Sequence, residues 1–138
     1  MKTRILIATV LITLGAVIHT VGGEITDIAA LLKTNLPLNI QIEVRAVWYF
    51  VAIDFFISAG YLIYLLLKKQ FSEHNMLIRF IGIRMLLYGI AFLLLILLTN
   101  PLFLFQVPQW ILLIVIGVLL LWDYIIKSRK EQIQLWKN

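Results

Sequence analysis

Among the ionisable side chains inside the long apolar runs of this chain, His19 and Asp54 lie deepest. An ionisable group at the centre of a membrane helix costs about 2.5–3.5 kcal/mol on insertion scales, so it is a functional candidate by default. At a rise of about 1.5 Å per residue, His19 stands about 21 Å from Ile5 and Asp54 about 20 Å from Leu67. Counted from one face, the two groups share a height, and this predicts a His19–Asp54 hydrogen bond or ion pair. An imidazole and a carboxylate so placed can take up and relay protons. Asp54, Ser58 and Tyr61 follow at i, i+4 and i+7 and so lie on one helix face. Glu24 and Trp48 lie beyond the pair, near the expected external mouth. Gly15 shares a face with His19, and small residues there let helix backbones approach closely.

A second polar set lies towards the other face. Arg84 is about 7–8 Å inside from Arg79, and Asp123 is about 6 Å inside from Lys127, which makes Arg84–Asp123 a candidate bridge. Arg84, Tyr88 and Ala91 share one face. Blander readings stand beside these. A mid-membrane Asp can be protonated and hydrogen-bonded to a neighbouring helix. A His–Asp pair can be helix glue, worth about 0.6 kcal/mol on average. Arg84 and Asp123 can snorkel to the interface, Trp48, Trp110, Trp122 and Trp136 fit an aromatic belt, and His74 falls in a solvated loop.

Much familiar chemistry is missing. There is no Gly-rich phosphate loop, H-E-x-x-H or G-x-S-x-G. The absence of cysteine removes disulfides, thiolate metal sites, iron–sulfur clusters and cysteine nucleophiles. His19 with Glu24 or Asp54 offers three ligands at most, with no recognisable spacing, and a bis-histidine haem would need a second intramembrane His. The first run lacks the Glu of small multidrug exporters, and the Asn-rich filter of fluoride channels is absent. No catalytic residue, metal ligand or cofactor is therefore assigned.

The elements that must position these residues follow from composition. Of the 138 residues, 62% are hydrophobic and 14% charged, and the mean hydropathy is +1.00. Soluble domains run at roughly 45–50% apolar and about 25% charged, while disorder needs low hydrophobicity and high net charge. A small integral membrane protein remains. Four apolar runs, at about 5–21, 44–67, 77–98 and 109–126, each have the length of a membrane helix. No segment has the alternation of a membrane barrel strand. The chain is expected to be one integral membrane domain over residues 1–138.

The net charge of +5 and pI near 9.7 reflect topology, not a nucleic-acid footprint. Lys2, Arg4, Lys68, Lys69, Arg79, Lys127, Arg129, Lys130 and Lys137 collect on one side, joined by Arg84 if it snorkels; the other side receives Lys33 and Arg45. The positive-inside rule then places both termini in the cytoplasm and connections 24–45 and 99–108 outside. A rival reading makes the first run a signal peptide cleaved after Val21-Gly22-Gly23, which would leave three spans with an external N-terminus; we expect an uncleaved span.

In the long external connection, Thr26 is a candidate cap for a short interfacial helix through Leu32 or Lys33. Residues 36–44 alternate apolar and polar, as a strand would, while Pro37 suits the first turn of a helix. A lone strand has no partner, which favours the helix. The tail from Ser128 is expected to continue the fourth helix, with Trp136 as an interfacial anchor.

The stretches His19-Thr20-Val21-Gly22-Gly23-Glu24, Leu31-Leu32-Lys33-Thr34-Asn35-Leu36-Pro37 and Trp48-Tyr49 resemble small four-helix bacterial membrane proteins. In that pattern a His and Gly end the first helix, a Leu-Pro pair follows, and Trp-His opens the second; Tyr49 stands here at the His position. The resemblance covers about half of the chain. It implies a bacterial inner-membrane protein and carries no activity, because those families are uncharacterised.

The expected fold is all-α, a four-transmembrane-helix bundle with both termini inside and a long external first loop. Three functions are compatible with it. The first is a non-enzymatic interaction or accessory protein with a homo-oligomeric or membrane-protein partner besides the lipid bilayer. The second is an oligomeric proton-coupled transporter or channel using Asp54 and His19. The third is a membrane enzyme or quinone-type binding protein with an external pocket near His19, Glu24 and Trp48.

Overall fold

The computed structural model describes residues 2–69, 71 and 75–135, with backbone alone for 127–135. His74 and Trp136 lie outside the described residues. Helix dominates and no strand occurs among the described residues. Helix α1 (Lys2–Val17) runs on through two π-helical turns, Ile18–Gly22 and Glu24–Ile28, into the short α2 (Ala29–Leu31). Then come α3 (Leu38–Lys68), α4 (Asn75–Thr99), a 3₁₀ turn at Pro101–Phe105, and α5 (Gln109–Leu135).

Lys2–Leu31, Leu38–Lys68, Asn75–Thr99 and Gln109–Ile126 are the four helical runs long and apolar enough to cross a membrane. At most 33% of the most apolar window of each is buried within the chain. Large apolar side chains such as Ile57, Leu67, Leu98 and Phe50 are instead exposed. Water would penalise that surface heavily, whereas lipid tails would not. The chain is a multi-pass membrane protein.

The first helix does not end at Val21. Gly23 keeps helical torsions, φ −64° and ψ −35°, and the run continues to Leu31. Two glycines remove side chains from this stretch without obliging it to turn. Thr26 is not a cap: its hydroxyl donates back to the Gly22 carbonyl at 2.9 Å, inside the same helix. The strand alternative for 36–44 also fails. The Pro37 carbonyl accepts from the Gln41 N–H at 3.1 Å, and α3 begins at Leu38. The expected long loop therefore shrinks to residues 32–37.

The other boundaries have local causes. Lys69 adopts φ 58° just past α3, the left-handed conformation that commonly ends a helix. Asn100 is extended, and its Oδ1 accepts from the Leu102 N–H at 3.1 Å. It thereby caps the turn that Pro101 opens. Helix α5 extends without a break beyond Ile126 to Leu135, as expected for the tail backbone.

The chain divides into two compact units. One is Thr9–Tyr64, where Ile12, Ala16, Ile28, Ala52, Ala59 and Leu62 are buried. The other joins the start of α1, through Ala8, to the chain from Leu65 onward. Its centre is the α4–α5 pair, where backbones nearly touch. A Cβ on Gly117 would stand 2.8 Å from the Leu86 amide nitrogen and 2.9 Å from the Gly82 carbonyl oxygen. Only a glycine fits that crossing, as in other close membrane helix pairs. The Trp110 indole N–H donates to the Leu104 carbonyl at 3.1 Å and fastens the connection between the two helices.

Candidate functional site

The richest polar cluster lies in the Thr9–Tyr64 unit, where the π-helical turns meet the first half of α3. The His19 imidazole stacks on the Trp48 indole with centroids 4.0 Å apart and planes 13° from parallel. Two hydrogen bonds cross between the same residues. The Trp48 indole N–H donates to the His19 carbonyl at 3.2 Å, and His19 Nε2 stands 3.2 Å from the Trp48 carbonyl. A carbonyl only accepts, so Nε2 carries the proton in this bond. Phe55 adds a tilted contact at 5.9 Å from the imidazole.

Gly23 makes this stack sterically feasible. A Cβ there would stand 2.0 Å from the Trp48 ring, so a larger residue would collide with the indole. The resemblance-bearing Gly22-Gly23 pair thus acts at its second member as a seat for Trp48.

Glu24 faces a second pair of α3 residues. Its Oε1 forms an ion pair with Arg45, and its Oε2 accepts from the Tyr49 hydroxyl at 2.7 Å. Arg45 also donates to the Tyr49 oxygen at 3.3 Å, with its guanidinium carbon 5.7 Å from that ring. The three side chains form a closed triangle. Arg45 and Tyr49 share a face of α3 at i, i+4, while Trp48 sits beside them. Glu24 and Arg45 remain about two-fifths exposed, so water screens their attraction and the triangle contributes mainly geometry.

His19 therefore binds Trp48, not the expected Asp54. The height estimate puts His19 close to Phe55, but face decides the partner. Trp48 and Phe55 are seven residues apart and share a face of α3, whereas Asp54 lies about 100° round the helix from Phe55. Asp54 is half-buried, and its main-chain carbonyl accepts from the buried Ser58 hydroxyl at 2.7 Å. Tyr61 follows on the same face, with its ring 6.4 Å from Tyr64. Trp48 stacks directly on His19, while Glu24 turns to Arg45 and Tyr49 of the same helix.

The lower polar set lies in the other unit. Asp123 forms an ion pair with Arg4, a residue that the sequence marked only as a topology signal. The Arg84 guanidinium lies 5.6 Å over the Phe80 ring, and Tyr88, one turn on, is exposed. Among the described residues, no three His, Asp or Glu side chains gather as a metal site.

Sequence reasoning missed Arg45, Tyr49, Phe55 and Arg4 as members of these clusters. The i, i+3, i+4 spacing of Arg45, Trp48 and Tyr49 was available as a signal. That His19 and Glu24 both face α3 was not, because five residues of α-helix turn about 140° round the axis. Turns with i→i+5 bonding bring such residues back together. No family model, curated protein or solved structure matches this chain.

Proposed function

We propose that this protein is a four-helix bundle of the bacterial inner membrane with both termini in the cytoplasm. In this reading it is a non-enzymatic accessory protein, holding a membrane-protein partner or a second copy through its helices. The observation that carries the reading is the internal use of the polar cluster. His19 spends its Nε2 and one ring face on Trp48, and both Glu24 oxygens engage Arg45 and Tyr49. Groups that bind each other in this way fasten two helices more readily than they turn over a substrate. Ten of the twelve cationic residues, counting Arg84, on one side of the expected spans support the orientation.

A photo-crosslinking residue at exposed Phe50 or Ile57, introduced in cells, tests the reading. A discrete protein adduct is expected. In parallel, proteoliposomes of the purified chain should show no more proton flux than empty vesicles. Adducts to lipid alone, together with a flux abolished by Asp54→Asn, would replace the accessory reading with proton transport.

Adjoining π-helical turns favour a second reading, because such turns collect at functional sites. The aromatic shelf of Trp48 and Phe55 beside His19 suits a planar quinone-type ligand. Saturable quenching of tryptophan fluorescence by a short-chain quinone, lost in His19→Ala, would establish it; linear quenching unchanged by that substitution would dismiss it.

A further inference from the structure

A shallow cleft opens in the unit that joins the start of α1 to α4 and α5. Ile5, Ile78 and Leu120 form its apolar side, while Arg79, Asp123 and Tyr124 line its polar side. Arg79 is held in two ways. Its Nε–H donates to Asn75 Oδ1 at 3.2 Å, and its guanidinium carbon lies 4.6 Å from the Tyr124 ring centroid. Stacking fixes the plane of the guanidinium, and the Nε bond fixes its rotation. The two terminal amino groups are left without a protein partner among the described residues. Such a fork matches two oxygens of a phosphate.

Charge around the cleft has the right sign. Asp123 is the acid on its rim, and Arg4 offsets it through their ion pair. Arg79 then leaves one positive charge in excess. The cleft also pairs this cation with apolar side chains on membrane-crossing helices. A free inorganic phosphate would use only the polar half, whereas a phospholipid would use both. Basic pockets between membrane helices bind anionic headgroups by this combination.

We infer that the cleft between the first turns of α1 and α4 and the middle of α5 binds the headgroup phosphate of an anionic glycerophospholipid. Arg79 grips two phosphate oxygens, Tyr124 holds the guanidinium flat, and the acyl chains leave over Leu119, the half-buried apolar residue of the lining. Arg4 keeps Asp123 from repelling the ligand. This site is independent of the accessory reading and of the cluster at His19.

Native mass spectrometry of the detergent-purified chain, titrated with dioleoyl phosphatidylglycerol or dioleoyl phosphatidylcholine, provides the test. The expected result is preferential retention of phosphatidylglycerol. Arg79→Gln should weaken that retention about fivefold, the equivalent of one interfacial cation, and Arg79→Lys should restore part of it. Asp123→Asn should tighten retention, because it removes the acid on the rim and releases Arg4. Lys33→Gln, far along the sequence in the 32–37 connection, should change nothing. Should Arg79→Gln not fold, Arg79→Lys and Asp123→Asn still decide the outcome. Unchanged retention in a folded Arg79→Gln, or weaker retention in Asp123→Asn, would overturn the assignment. Displacement of phosphatidylglycerol by inorganic phosphate at equal concentration would also overturn it, making the cleft a site for soluble phosphate.

Discussion

At the scale of single residues, Gly23 shows how one missing atom organises the polar cluster. A methyl group there would lie 2.0 Å from the Trp48 ring, and the indole cannot yield without leaving His19. Gly→Ala inside a helix ordinarily gains about 1 kcal/mol, whereas overpacking costs about 1–3 kcal/mol. The clash should win, so Gly23→Ala should lower the thermal midpoint in detergent and change tryptophan emission. In a Trp48→Ala background the same substitution should raise the midpoint, because only the helix preference remains. A loss of stability in both backgrounds would mean that Trp48 is not what Gly23 accommodates. The triangle beside it makes a different forecast. Glu24→Gln and Arg45→Gln should each lower the midpoint slightly, and the double variant should fall by less than the sum of the two, since both changes remove the same ion pair. Tyr49→Phe should be milder, because it leaves the Glu24–Arg45 ion pair in place. Residue type alone singles out His19, Glu24 and Trp48 in the sequence. Their partners are hidden there, because they depend on which face of α3 meets the π-helical turns, a relation that residue spacing along α3 does not contain.

At the scale of elements, hydropathy makes the four long helices legible and leaves their ends less so. Val21-Gly22-Gly23-Glu24 reads as a stop because glycine and charge commonly end apolar runs. It continues as helix because both glycines tolerate helical torsions and the π turns accommodate the local packing. Asn100-Pro101 is readable as a break, since the proline lacks an N–H and the Asn side chain caps the 3₁₀ turn. The α4–α5 seam is not readable, for glycines scatter through apolar helices and only the structure identifies those that touch. Gly117 and Gly60 form a matched pair for testing this. Gly117 faces the Leu86 and Gly82 backbones, while a Cβ on Gly60 would meet nothing within 4 Å. Gly117→Leu should therefore separate α4 from α5 and lower the thermal midpoint strongly, because backbone cannot rotate aside as a side chain can. Gly60→Ala should be neutral or raise the midpoint, with helix propensity contributing about 1 kcal/mol. Equal effects at the two positions would contradict the seam.

At the scale of the whole molecule, helix length and charge make one joint forecast about the membrane. The 31 residues of α3 would extend about 46 Å, against a hydrocarbon core of about 30 Å. Either α3 tilts or its first turns rise beyond the lipid, and Arg45 and Glu43 lie in those first turns. The cations divide unequally between the two ends, with Lys33 and Arg45 near the start of α3 and Lys68, Lys69 and Arg79 around its finish. Translocating the second group costs more than translocating the first, so the start of α3 should face outward. The absence of cysteine from the chain provides a clean background for single-cysteine labelling. Asn35→Cys, in the 32–37 connection, should react with a membrane-impermeant maleimide in intact cells. Lys69→Cys, at the turn that ends α3, should react only after permeabilisation. The reverse pattern would invert the topology, and labelling of both positions in intact cells would mean that α3 does not cross. Replacing Lys68 and Lys69 together by Gln, while adding two lysines beside Asn35, should erode the preference, because the orienting charges and not the apolar length carry the information.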